Sequence, residues 1–193
     1  RQYSRRRNHF LFYLKKIKVM KTVQLQRSAS SSWTYLTAKI DLVAPLVLIF
    51  GNRYLLQDNG ILEEVRELFP TGHLIFGSSA GEITAQAVVD NHITITAIEF
   101  ERTTFSIHTT NIKDHDDNSY EAGMDVVKRL PQSGLKHIFV VSEGSYVNGS
   151  ELTKGMQNAA PKTLITGGLC GDNARFEKTL AGYNQKPKQG EII

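Results

Sequence analysis

Two rhythms of apolar and polar positions run along this chain, one of strands and one of helices. Thr22 to Gln26 (TVQLQ) alternates, as a half-buried strand does. LVLIFG at 46 to 51 is a continuous apolar run ended by glycine, the pattern of a buried strand. In ILEEVRELF the apolar positions 61, 62, 65, 68 and 69 share one helical face, and Pro70 and Gly72 stop that helix. His73 to Phe76 form a second buried strand. From 92 to 112 the period returns to two, placing Ile93, Ile95, Ala97 and Phe100 on buried faces. Phe105 and Ile107 follow a short turn, which predicts an antiparallel pair.

SYEAGMDVVKRL predicts an amphipathic helix ended before Pro131, and KHIFVVSEG a third buried strand. NGSELTKGMQNAAP is a loop and helix, KTLITGG a fourth buried strand, and residues 174 to 193 a strand, polar turn and strand. The serines at 28 to 32 predict entry into a helix over WTYLTAKIDLV. Buried strands interleaved with helices give an α/β domain of the α+β variant: a layered mixed β-sheet with flanking helices and an antiparallel hairpin region. Consecutive strands in the middle argue against a pure doubly wound sheet.

The length, 193 residues, suits one well-buried domain. Charge divides it unevenly. Residues 1 to 19 hold seven of the 23 Lys and Arg and no acid, leaving 16 basic against 19 acidic residues over 20 to 193. The body is therefore no basic platform for nucleic acid. The first 19 residues form a basic arm, disordered or non-native, and Met20 with KTVQLQ opens the domain. FLFYL within the arm is shorter than the ~7 to 15 residues of a signal-peptide core. No apolar run approaches the ~20 residues of a membrane-spanning helix. A single cysteine, Cys170, excludes an internal disulfide framework and favours a reducing, cytoplasmic setting.

The candidate chemistry gathers in two glycine loops at strand ends. Residues 77 to 81, GSSAG, satisfy the G-x-S-x-G pattern of a hydrolase nucleophile elbow, with Ser79 as nucleophile. An elbow needs a helix next, whereas EITAQAVVDN holds β-branched residues and runs into an alternating segment. His137, the histidine after the acids Asp114, Asp116, Asp117 and Asp125, opens a strand rather than a loop. No catalytic residue is expected. The second loop, GGLCGDN at 167 to 173, matches neither G-x-G-x-x-G nor the phosphate-binding P-loop. Together the loops could converge on a concavity lined by backbone N–H groups. Its expected ligand-binding residues are Ser78, Ser79, Gly81, Glu82, Gly167, Gly168, Asp172 and Asn173. Ser78 and Ser79 would accept a carboxylate; Glu82 or Asp172 would pair with an ammonium.

Of the six histidines none forms an i, i+4 zinc pair, and DHDD lacks the spacing of a calcium loop, so no metal site is expected. No cofactor is required either. One histidine suffices for a haem, which is the alternative reading.

FGSSAGEI resembles the G-C-S-T-A-G-E-I signature of FIST N domains, with Ser78 where cysteine is common and Ser79 where threonine is common. DNHITITAIEFERTTFSI resembles the paired strands that follow it. LITGGLCGDNARFEKTLAGYN resembles the later G-G-x-x-G-D-x-x-x-F segment. The resemblance covers residues 20 to 193. It implies an intracellular, bacterial sensory domain of signal transduction that binds a small ligand, with amino acids the leading class. It implies as partners a histidine kinase, a diguanylate cyclase or a chemotaxis protein, and a FIST C domain. Some members of the family sense nitric oxide through haem. The segment between 27 and 45 is short for the family.

Overall fold

The computed structural model describes residues 20–193, and the basic arm lies outside the described residues. β1 (Lys21–Ser28) buries Val23 and Leu25 on one face, and β2 (Thr34–Tyr35) folds back on it antiparallel. No helix follows the serines. Trp33, Tyr35 and Leu42 instead lean on the first core, Tyr35 from β2 and the other two from chain outside any helix or strand. β3 (Leu46–Gly51) leads through α1 (Arg53–Leu56) and α2 (Ile61–Leu68) into β4 (His73–Ser78), which lies parallel to β3. β5 (Glu82–Ile83) and β6 (Val88–Val89) make a small hairpin, after which β7 (His92–Glu99) runs antiparallel between β1 and β3.

With both edges of β7 taken, Phe105 and Ile107 have no strand to join. Residues 100–109 instead cross as extended chain to β8 (Thr110–Asn111) in a second sheet. A 3-10 turn (Ile112–His115) and α3 (Ser119–Lys128) come next, the helix capped by the Asn118 side chain accepting from the Glu121 N–H. β9 (His137–Ser142), α4 (Gly149–Ala159) and β10 (Leu164–Leu169) follow, β10 parallel to β9. The last two strands part company. β11 (Ala181–Tyr183) joins the first sheet beside β4, and β12 (Glu191–Ile192) joins the second between β8 and β9.

The first sheet therefore runs β11-β4-β3-β7-β1-β2 and the second β10-β9-β12-β8. Three apolar clusters stack them into four layers, helix, sheet, sheet, helix. Val47, Ile49, Leu74, Phe76, Ile93 and Ile95 face α2 through Ile61 and Val65. Ile138 and Val140 face α3 and α4 through Val126, Leu152 and Met156. A thin layer of Ile75, Val141, Ala181 and Ile193 joins sheet to sheet. β10 is an exposed edge rather than a buried strand, with Leu164 65% and Leu169 46% accessible. An apolar run tells that a strand could be buried, not which strands flank it. No helix among the described residues is long and apolar enough to cross a membrane.

Candidate functional site

β3 and β4 in one sheet, and β9 and β10 in the other, end at a common pole, where both glycine loops lie. The Gly171 N–H donates to the Ser78 carbonyl at 2.9 Å, and the Cys170 N–H to the Ser142 carbonyl at 2.7 Å. Added at Gly171, a Cβ would sit 3.0 Å from the Ala80 nitrogen, so the loops meet backbone to backbone. The convergence is at Ser78–Ala80 and Cys170–Gly171. Gly167 and Gly168 lie farther back along β10, where a Cβ on Gly167 would strike the Val140 carbonyl. Asn173 turns the chain in the left-handed region, φ 51°.

The polar atoms of this pole are largely spent on each other. Ser78 is buried, and its Oγ accepts the Leu180 N–H at 2.9 Å. Ser79 donates its hydroxyl to Glu82 Oε1 at 2.8 Å, and Glu82 Oε2 accepts the His92 N–H at 3.3 Å. Gly81 sits between them at φ 152°, a conformation side chains avoid. Burial pushes the Glu82 carboxyl above its usual range, against the pull of those two hydrogen bonds. Ser79 thus bonds a carboxylate rather than a histidine, and a hairpin rather than a helix follows it.

Asp172 is buried too, and its Oδ1 lies 3.0 Å from Arg53 Nε at the start of α1. That approach is a charge contact without hydrogen-bond alignment. Asp172 Oδ2 accepts the Glu177 and Lys178 N–H groups at 3.3 and 3.1 Å, and Arg53 also reaches Glu177 at 2.8 Å. Neither Arg53 nor Glu177 carried a sequence signal; only the folding of α1 against the second loop brings them in. The same holds for Glu143, sealed at the end of β9, whose carboxylate accepts the Ser145 and Tyr146 N–H groups and the Thr179 hydroxyl. Cys170 lies in the sheet-to-sheet layer, where burial and the Glu143 charge push its thiol up to about 12.

The more enclosed open space is at the other pole. A cavity of about 710 Å³ lies at the N-terminal ends of β3 and β9, walled by the 103–108 crossover and the segment that follows α3. Its depth is apolar: Ile75, Val126, Val127, Val140, Met156 and Ile193 are each less than a tenth exposed. Its rim carries Thr103, Thr104, Ser106, His108, Lys136 and His137. Phe105 is packed edge-on against both His73 and Phe100, which pins the crossover over the opening. His137 Nε2 is 2.7 Å from Thr166 Oγ1. None of the eight residues expected from the sequence lines this cavity. Among the described residues, no cluster of three or more His, Cys, Asp or Glu could hold a metal.

A sequence model described as the FIST N domain matches residues 45–193. No curated protein and no solved structure matches the chain.

Proposed function

The chain belongs to the FIST N domain family, a family of sensory signal-transduction domains, and on that premise we propose that its small-molecule ligand occupies the cavity at the N-terminal ends of β3 and β9. The cavity carries the reading: a pocket of this size, apolar in its depth and polar at its rim, is the usual form of a small-molecule site. The glycine-loop pole offers Ser78, Ser79, Gly81, Glu82, Gly167, Gly168, Asp172 and Asn173 for an amino acid. There a zwitterion would have to break the Ser79–Glu82 and Arg53–Asp172 contacts before making its own. The amino-acid reading therefore ranks second in geometry, although the family resemblance suggests it. This reading takes the setting as the bacterial cytoplasm. It takes the partner as a histidine kinase, diguanylate cyclase or chemotaxis protein, with a FIST C domain beside it.

Thermal unfolding against amino acids, organic acids and haem tests the proposal, because a ligand at 100 times its Kd stabilises by ~2.7 kcal/mol. A hit is then repeated in Ser106→Trp, which fills the cavity rim, and in Glu82→Gln. Loss of the shift in the first variant alone supports the cavity. Loss in the second alone moves the site to the loops.

Two histidines on the rim favour one further reading, a haem in the same cavity. The apolar depth suits a macrocycle and Lys136 its propionates. His108 makes no side-chain hydrogen bond among the described residues, whereas His137 shares its Nε2 with Thr166. Bound there, haem would supply a gas-binding iron. This reading predicts a Soret band that His108→Ala abolishes and His73→Ala keeps.

A further inference from the structure

The cavity is polarised in a way that narrows its ligand. This step rests on the reading of the cavity as the ligand site. Apolar side chains form its depth, while Lys136 is the one Lys, Arg, Asp or Glu side chain on its lining. Lys136 and the imidazoles of His108 and His137 stand at the rim, and no Asp or Glu side chain lines the space. Lys136 is solvent-exposed, so its ammonium can turn to meet a head group at the mouth. The hydroxyls of Thr103, Thr104 and Ser106 add donors beside them.

We infer that the cavity selects an organic acid with a long apolar body and a single carboxylate head, the body lying in the apolar depth and the carboxylate at Lys136. A carboxylate near the rim gains an opposite charge and hydroxyl donors. An ammonium in the same place meets like charge and has no side-chain carboxylate on which to shed its hydration. A free amino acid carries that ammonium wherever its carboxylate goes, so the rim discriminates against it. The depth acts on the other end. Val126, Val127, Val140 and Met156 offer nothing to a polar tail, and burying methylenes there is favourable in proportion to area.

Decanoate, decanol and decylamine share one apolar body and differ in head charge, so they separate the two ideas. Each is titrated into the full chain at low ionic strength, below its aggregation concentration, with binding read by calorimetry. Decanoate should bind about tenfold tighter than decanol, and decanol tighter than decylamine. Lys136→Gln should bring decanoate to within about threefold of decanol and leave decanol unchanged, since only the carboxylate meets that charge. Ser106→Trp should abolish all three. Equal affinities for the three heads would overturn the charge selection while leaving the cavity as a ligand site. Preference for decylamine would do the same. Binding that persists in Ser106→Trp, or no binding by any of the three, would overturn the inference together with the cavity reading beneath it. Haem added in parallel tells those last cases apart: a Soret band lost in Ser106→Trp restores the cavity and leaves only the organic-acid inference refuted.

Discussion

Glu82 holds its carboxyl away from water at the turn after Ser79, and that burial raises its pKa above the ordinary 4.5. The folded state therefore binds this proton more tightly than the unfolded chain. Its favourable contribution is complete below pH 4.5 and is lost as pH rises through the raised value. Denaturant melts of the wild type and Glu82→Gln should show the wild type losing stability relative to the variant as pH rises above about 4.5. A difference that stays flat over that range would mean Glu82 titrates as an exposed carboxyl. The glutamine amide can keep both contacts, its oxygen accepting the His92 N–H and its NH2 donating to the Ser79 hydroxyl, so the variant serves as a neutral reference at every pH. Cys170 gives a second residue-scale prediction. With its thiol pushed up to about 12, native protein should react with iodoacetamide at least about a hundredfold more slowly than protein unfolded in guanidinium. Comparable rates would place the thiol at the surface. At this scale the sequence was a partial guide. GSSAG announced a tight turn with useful hydroxyls, and both are there. That the Ser79 hydroxyl serves a carboxylate three residues on depends on the hairpin that follows, and local pattern did not exclude a helix.

Helices were the most legible elements, because their apolar stripes repeat within a window short enough to see. ILEEVRELF and SYEAGMDVVKRL became α2 and α3, which stop at Leu68 and Lys128, one and two residues short. What their sequences did not disclose is how closely two helices meet. A Cβ on Gly155 of α4 would lie 2.0 Å from the Tyr120 carbonyl oxygen of α3, and one on Gly123 would lie 2.3 Å from the Leu152 oxygen. Helix propensity favours alanine over glycine by about 1 kcal/mol, whereas overpacking against main chain costs roughly 1–3 kcal/mol. The second effect wins here, since a carbonyl on a helix cannot rotate aside as a side chain could. Gly155→Ala should lower stability in chemical denaturation, although it improves the isolated helix. A stabilised variant would show that α3 and α4 can part freely. Strands were legible as strands but not by neighbour. LITGGL carries the apolar run of a central strand and lies at an edge, while Phe105 and Ile107, spaced as a hairpin partner, walk between sheets.

The cavity belongs to the whole molecule and to no local pattern. Its walls come from Leu46, Ile75, the 100–108 crossover, α3 with the turn after it, Met156 and Ile193. Ligands in open α/β sheets usually sit at the carboxyl ends of strands, and the glycine loops pointed there. Here two sheets face each other, and the layer between them holds only four well-buried apolar residues, Ile75, Val141, Ala181 and Ile193. The cavity opens at the strands' other ends, where Val126, Val127 and Met156 of the helices share its lining with Ile75 and Ile193. A ligand there would touch both halves of the molecule, which is what a sensor needs if binding is to shift one half against the other. The thin layer also makes a prediction about the protein alone. Ile75→Ala truncates the larger of the two buried first-sheet side chains of that layer, Ile75 and Ala181, and should cost about 2–5 kcal/mol. Amide exchange should then quicken in β4 and β9 together, one in each sheet, while α2, held by its own cluster, keeps its relative protection. Unfolding should remain a single transition, because β11 and β12 tie the last residues of the chain into both sheets. Two separate transitions in the variant, one for each sheet with its helices, would show that the halves are stable units and that the layer between them is a hinge rather than a core.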